Sequence, residues 1–345
     1  MIDRLSLENF KSFKKQEFRL KHLTLMAGVN SSGKSSILQA IRLLSAGNNG
    51  FSAIEDHGGY EELRSVYADA GQEIKIGIAF PGEEFEYWKT IENGNSFFPL
   101  AASSEALLHR VQYISADRLG PQVFFHLPQA RGGQTVGSRG ENIILYCICH
   151  KDDLIDELRW HPSSTGESFE YNIEAWINEI SPGTRLEFVY DRNIDAGSLC
   201  VGQKGDLTIS QRPTNVGFGL SYTLPIVASL LGAKKGDLLL VENPEAHLHP
   251  VGQTKMGELL ARTAQCGVQI IVETHSDHLI DGARIAVRDK ILSCENGIVL
   301  FCNKSAITHL TQIEEVSFLN NGDLDNWPEG FCDQSLKNLS KLADF

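Results

Sequence analysis

The sequence predicts an α/β fold built on a largely parallel sheet, and three observations predict it. The runs Leu238 to Glu242 and Val268 to Glu273 are almost wholly apolar and each ends in an acid. Strands apolar on both faces belong to sheets covered by helices on both sides. Helical patterns alternate with those runs: SYTLPIVASLLGA precedes the first, GQTKMGELLARTAQCG separates the two, and another follows THSD. Near the N terminus a glycine-rich turn, GVNSSGKS, lies between an apolar run and an amphipathic helix.

The elements follow in order. Residues 1–27 predict two short strands joined by a turn, LSLENF by its alternation and HLTLMAG as a compact apolar run. A helix begins inside GKSSILQAIRLLSAG, with Ile37, Ile41 and Leu44 on one side and Gly47 as its stop. Between 48 and 117, alternating runs such as EIKIGIAF and FEYWKTIENGNSFF predict an antiparallel β layer with hairpin turns. Residues 118–213 have a different texture: glycine-rich RGGQTVGSRG, a helix in ENIILYCICHKDDLIDELRW, a second in EAWINEIS, and a β-like TRLEFVYD. This stretch is expected to be an inserted α/β or helical subdomain, carried between the two halves of a core at 1–117 and 214–345. No internal repeat or low-complexity tract is evident.

Composition narrows the function classes. With 345 residues, 42% hydrophobic and 22% charged, the chain can bury a sizeable core. The opening MIDRLSLENFKSF lacks the apolar run of a signal peptide, and no stretch approaches the roughly 20 apolar residues that span a bilayer. A cytoplasmic protein without membrane contact is expected. Seven cysteines, at 147, 149, 200, 266, 294, 302 and 332, form no CxxC pair and read as reduced thiols. A net charge of −13 disfavours nucleic-acid binding by the surface as a whole, while a local basic groove and a basic partner protein both stay open.

The glycine-rich turn carries the sharpest chemistry. Gly28-Val29-Asn30-Ser31-Ser32-Gly33-Lys34-Ser35, followed by Ser36, fits the P-loop pattern without a mismatch and in the required strand–helix setting. Glycines let successive N–H groups point at a phosphate, and the helix N terminus adds partial positive charge. Lys34 is expected to bridge the β- and γ-phosphates of ATP, with the Ser35 hydroxyl on Mg²⁺. Leu238 to Val241 delivers Glu242 at a strand end beside the P-loop, where it would hold the Mg²⁺ water shell. His275, at the end of the second apolar run, would donate to the γ-phosphate.

Four segments in this order, GVNSSGKSS, VGFGLSYTLPIV, LLLVENPEAHLHP and VQIIVETHSDHL, resemble the ABC-type AAA ATPases related to OLD, Rad50 and SMC heads. LSLENFKSF resembles the first strand of that lineage, and GDLDNWPEGFCDQ the C-terminal segment of small bacterial ATPases found near defence genes. The resemblance covers about 1–45, 110–122 and 214–333. It implies a P-loop NTPase fold with an ABC-type head that dimerises around ATP. Gly217, Phe218, Gly219, Leu220 and Ser221 take the place of the signature motif, without LSGGQ, so that Gly219 and Ser221 would face ATP held by a second subunit. Ala246 to Pro250 corresponds to the D-loop. Gln112 and Gln122 are candidates for the Q-loop glutamine, and Arg118 reads either as a phosphate contact or as a structural ion pair.

One departure bears on turnover. The lineage has two consecutive acids after the apolar strand, the second activating water. Here Asn243 follows Glu242, and an amide is no base at neutral pH. Glu245 could replace it if the turn at Pro244 swings it toward the γ-phosphate. Two further clusters have plainer readings. His247, His249, His275 and His278 lack zinc-ligand spacing, and Cys147 and Cys149 read as buried core cysteines.

The expected function is an ATPase, with slow hydrolysis if Glu245 does not serve. It would dimerise around ATP and control a separately encoded effector, a nuclease in anti-phage defence, with nucleic acid left open as a further partner. An ATP-sensing scaffold with little hydrolysis is the alternative. A DNA-repair clamp is disfavoured, because no heptad repeat interrupts the chain.

Overall fold

The structure is a computed structural model that describes residues 1–45, 57–90, 96–97, 110–126, 134–191, 193, 195–203, 206–215, 217–331 and 333–343. Its centre is a six-stranded sheet in the order β15-β14-β3-β13-β12-β7, made of Thr311–Ser317, Gly297–Lys304, Leu23–Ala27, Gln269–Glu273, Leu238–Glu242 and Val111–Ile114. Five of these strands run parallel, and β15 closes one edge antiparallel to β14.

Successive side chains of a strand point to opposite faces, and both faces here are buried, which explains the unbroken apolar runs. Leu238, Leu240, Ile271, Leu300 and Met26 join one core with helix α1 (Lys34–Ser45) and the antiparallel layer. Leu239, Val241, Ile270, Val272 and Leu25 join the other. There the cover is α5 (Phe218–Gly232), α6 (Pro250–Gln265) and α7 (Asp277–Arg288).

The antiparallel layer has the order β2-β1-β4-β5-β6, from Phe13–Arg19, Arg4–Phe10, Lys75–Ala79, Glu86–Thr90 and Ser96–Phe97. Residues 1–27 therefore hold three strands where two were expected. The sequence FKKQEFR of β2 hides its apolar face behind charged residues, and β1 and β3 part into different sheets. A single helical turn, α2 (Tyr60–Leu63), follows α1, and the expected stop at Gly47 lies outside the described residues.

Residues 118–213 carry a third sheet. In it β9 (Thr184–Asp191) runs along one edge of β10 (Ala196–Gln203), and β8 (Phe125–His126) and β11 (Asp206–Gln211) share the other. Its helices are α3 (Ile143–His150) and α4 (Phe169–Ile180). The single helix expected over 141–160 ends at His150. The apolar face stops there, the His150 ring pairs with Asp153 at 2.7 Å, and the chain turns to bury Ile155 and Arg159. Trp176, Ile173 and Ile144 belong to the same core cluster as α5 and α6, so this stretch shares the core of the head.

Cys147 is buried as expected, with its thiol pushed up by burial, whereas Cys149 is exposed. Residues two apart on a helix point away from each other. Among the described residues, no helix is long and apolar enough to cross a membrane.

Candidate functional site

The carboxyl ends of β3, β13 and β12 lie side by side, because Glu242 is in register with Glu273, and Glu273 with Met26. Crevices at that edge of a parallel sheet are where α/β proteins bind ligands. The expectation placed Glu242 beside the P-loop. Instead β13 intervenes, and Glu273 is the carboxylate nearest the P-loop lysine. Nothing in the sequence order of the strands gives their order in the sheet.

Residues 28–33 leave β3 and curl into α1. Gly28 has φ +139° and a Cβ there would collide with the Cys302 carbonyl oxygen, while Gly33 has φ +101° and a Cβ would sit 2.6 Å from Thr311 Oγ1. Both positions need glycine. Asn30 and Ser31 are exposed at the apex, Ser31 with a left-handed φ of 62°, and Ser32 and Ser36 are buried. Lys34 is buried, donating from Nζ to the Gly28 and Val29 carbonyls at 2.9 Å each and standing 4.0 Å from Glu273. Burial lowers its pKa, against the pull of Glu273. A buried ammonium needs acceptors, and here the loop itself supplies them.

Glu273 is 7% exposed. Burial raises its pKa, while a hydrogen bond from the Ser35 hydroxyl and the charge of Lys34 work the other way. Among the described residues its Oε2 has no hydrogen-bond partner, nor does the Ser32 hydroxyl. Glu242 Oε2 accepts from the Ala116 amide at 3.0 Å, and its side chain also meets Tyr113, whose phenol burial pushes up to about 12. Glu245 is swung by the turn at Pro244 onto the end of β13. There it accepts from Thr274 Oγ1 at 2.9 Å and from the His275 amide at 2.7 Å. His275 is exposed at that tip, with its pKa lowered first by burial and then by Lys34.

Arg118 forms no ion pair among the described residues. It is 2% exposed and donates to three carbonyls, Ser115 at 2.8 Å, Glu242 at 2.7 Å and Asn243 at 2.7 Å. That clamp holds the turn after β12, where Asn243 takes a left-handed φ of 44°. The Asn243 side-chain oxygen is buried without a hydrogen-bond partner among the described residues.

Gly219, in the first turn of α5, lies against the turn after β12, where a Cβ would be 2.8 Å from the His247 carbonyl oxygen. Phe218 is 58% exposed. Ser221 lines a narrow crevice with Leu119, Gln122 and Pro213. Gln112 and Gln122 stay off the P-loop cavity. His247 stacks edge-on against Tyr222, and His249 caps the N terminus of α6. Among the described residues, no group of three or more His, Cys, Asp and Glu is arranged to hold a metal by itself.

A cavity of about 490 Å³ opens over the P-loop. Its wall takes in Lys11, Ser12, Arg64, Val66, Tyr67, Lys304 and His309 besides Gly33, Lys34, Ser35 and Glu273. Sequence reasoning missed the first seven, which come from three separate stretches. One local signal did exist. ENFKSF holds Asn9 and Lys11 at left-handed φ of 56° and 49°, and strain in non-glycine residues gathers at functional sites.

A family model described as AAA ATPase domain matches residues 1–118. A second, described as an AAA domain and linked there to the AbiEii toxin and type IV TA systems, matches residues 164–281. Among solved structures, an SMC head bound to the C-winged helix domain of ScpA superposes with a TM-score of 0.63 at 14% identity, over 92% of this chain and 97% of that one. Two separate stretches of the chain thus match AAA ATPase domain models, and its fold is that of an SMC head. A further SMC head, with an extended coiled coil and bound to the C-terminal domain of ScpA derived from Pyrococcus furiosus, covers 99% of both chains at 14% identity and a TM-score of 0.52. Residues 293–342 match a family of unknown function, DUF3696. No curated protein matches the sequence.

Proposed function

We propose that this ATPase is a nucleotide-driven switch: it binds ATP with Mg²⁺ at the P-loop, two heads close around the nucleotide, and the closed state controls a separately encoded effector. The reading is carried by one observation, the convergence of Lys34, Ser35, Glu273, Glu242 and His275 on one sheet edge above a P-loop with glycine at both strained positions.

The residues fit the nucleotide and its metal. Buried polar atoms without partners, Ser32 Oγ and Glu273 Oε2, face unmet demand of the kind a bound ligand satisfies. Mg²⁺ is usually held by one or two carboxylates together with phosphates and water, which suits Ser35, Glu242 and Glu273. When bound it would neutralise charge on the phosphate oxygens. Lys34 must leave the Gly28 and Val29 carbonyls to reach phosphate, so binding replaces one set of acceptors by another. His275, with a lowered pKa, is neutral at pH 7 and can donate one N–H. Exposed Phe218 and Val251 flank the turn at 246–250 and would meet a second head there.

A nuclease in anti-phage defence is the effector class proposed. The mention of a toxin–antitoxin system in a matching family description supports a two-component arrangement, and the ScpA-bound SMC heads show such a fold docking a partner. A scaffold that senses ATP and hydrolyses little is supported by a specific observation. Both oxygens of Glu245 already accept hydrogen bonds from the end of β13, which hold the carboxylate there rather than leave it free to swing to an attacking water.

Calorimetry with ATP and Mg²⁺ tests the reading: the wild type binds, and Lys34→Ala binds at least 100-fold more weakly. Unchanged affinity in that variant would overturn it. Turnover then separates the two forms of the proposal. Loss in Glu245→Gln supports hydrolysis through that residue, and negligible turnover in the wild type supports the scaffold.

A further inference from the structure

The β14–β15 hairpin touches the P-loop at both of its ends. Beside the first, the Cys302 carbonyl fills the space that a side chain at Gly28 would need. Beside the second, Thr311 Oγ1 donates to the Ser32 carbonyl at 2.8 Å and lies 2.6 Å from Ser12 Oγ, and the Thr311 amide donates to the Ser12 carbonyl at 2.9 Å. One residue thus ties the P-loop backbone to the turn between β1 and β2.

Between these anchors, the hairpin tip enters the wall of the P-loop cavity with Lys304 and His309. Neither side chain has a hydrogen-bond or ion-pair partner among the described residues. His309 holds a left-handed φ of 55°, fixed by its amide on the Ser305 carbonyl at 2.8 Å. Among the described residues, Lys11, Lys34, Arg64 and Lys304 face this cavity against Glu62 and Glu273, an excess of positive charge in a chain whose net charge is −13. Lys11 is engaged with Gln39 and Arg64 with backbone carbonyls. Lys304 is therefore the cation of this wall with its donors uncommitted.

We propose that the β14–β15 hairpin is part of the nucleotide site, with Lys304 and His309 contacting the ribose–phosphate portion of a bound nucleoside triphosphate and Thr311 positioning the P-loop. The inference rests on the nucleotide-binding reading above and extends it to the C-terminal third of the chain. At exposed positions solvent weakens both a charge-assisted contact and a neutral one, and losing the two together corresponds to roughly a tenfold change in affinity.

Calorimetry with ATPγS and Mg²⁺ on the full chain provides the test. The double variant Lys304→Ala/His309→Ala, at exposed positions, is expected to keep the wild-type Tm and to bind about tenfold more weakly. Lys304→Arg keeps most of the affinity. Thr311→Val, which retains shape but not the hydroxyl, also binds about tenfold more weakly, and Thr311→Ser restores binding. Wild-type affinity within twofold in the double variant would overturn the contact, and equal affinities of Thr311→Val and Thr311→Ser would overturn the positioning role. A wild type that binds no nucleotide would instead defeat the parent reading, and this one with it.

Discussion

The tip of the central sheet and the underside of the 118–213 segment use the same device for different ends. Arg118 and Arg159 are both buried, and each donates to three backbone carbonyls rather than to a carboxylate. Arg118 gathers Ser115, Glu242 and Asn243 and so fixes the turn from which Glu245 reaches His275. Arg159 gathers Leu230, Leu231 and Ala233 and caps the end of α5, where a helix leaves its last carbonyls without partners. A guanidinium presents several donors in a rigid fork, which suits it to converging carbonyls in a dry site. The comparison teaches that a buried arginine can serve the backbone instead of an ionic partner, beside the P-loop as well as far from it. At Arg118, burial alone draws the pKa down to about 10, against the pull of Glu245 and Glu242.

The largest expected effect separates these two arginines. Arg118→Ala and Arg159→Ala should each lower stability by about 3 kcal/mol, since each leaves buried carbonyls unmet. Only Arg118→Ala should also weaken ATP binding, because it frees the turn bearing Glu242. Urea melts and calorimetry on both variants would show it, and equal ATP affinities would break the distinction. A smaller effect is expected at Asn243. Ala there should cost about 1 kcal/mol, because its φ is left-handed, whereas Gly should be nearly neutral. Thermal melts of the pair decide it. The smallest effect is chemical. At pH 8, iodoacetamide should label exposed Cys149 first among the described cysteines. Cys302, buried beside the P-loop with its thiol pushed up to about 12, should resist labelling while the chain is folded, as peptide mass spectrometry would reveal.

Much of the head was legible in the sequence because its signals are local. The P-loop spacing, the apolar strands ending at Glu242 and Glu273, and the alternation of β1 and β4 each lie within a dozen residues. The 118–213 segment was less so. In AGSLCVGQ of β10, glycine and short side chains blur the alternation that marks a strand, and the helical pattern ran on past His150 into charged residues that turn instead. Site residues missed by sequence reasoning were missed for a different cause. Thr311 reaches Ser32 across 279 positions, and no spacing rule connects them. Glu273 was visible as a residue, but its nearness to Lys34 depends on which strand stands next to β3.

The close approach of Gly219 to the His247 carbonyl has a mechanical consequence. With no side chain to act as a cushion, the start of α5 and the turn at 244–249 are seated backbone to backbone, as two gear teeth are. Displacement of that turn must carry α5 along, and with it the 118–213 segment whose Arg159 grips the helix at its far end. A side chain at position 219 would force the two apart.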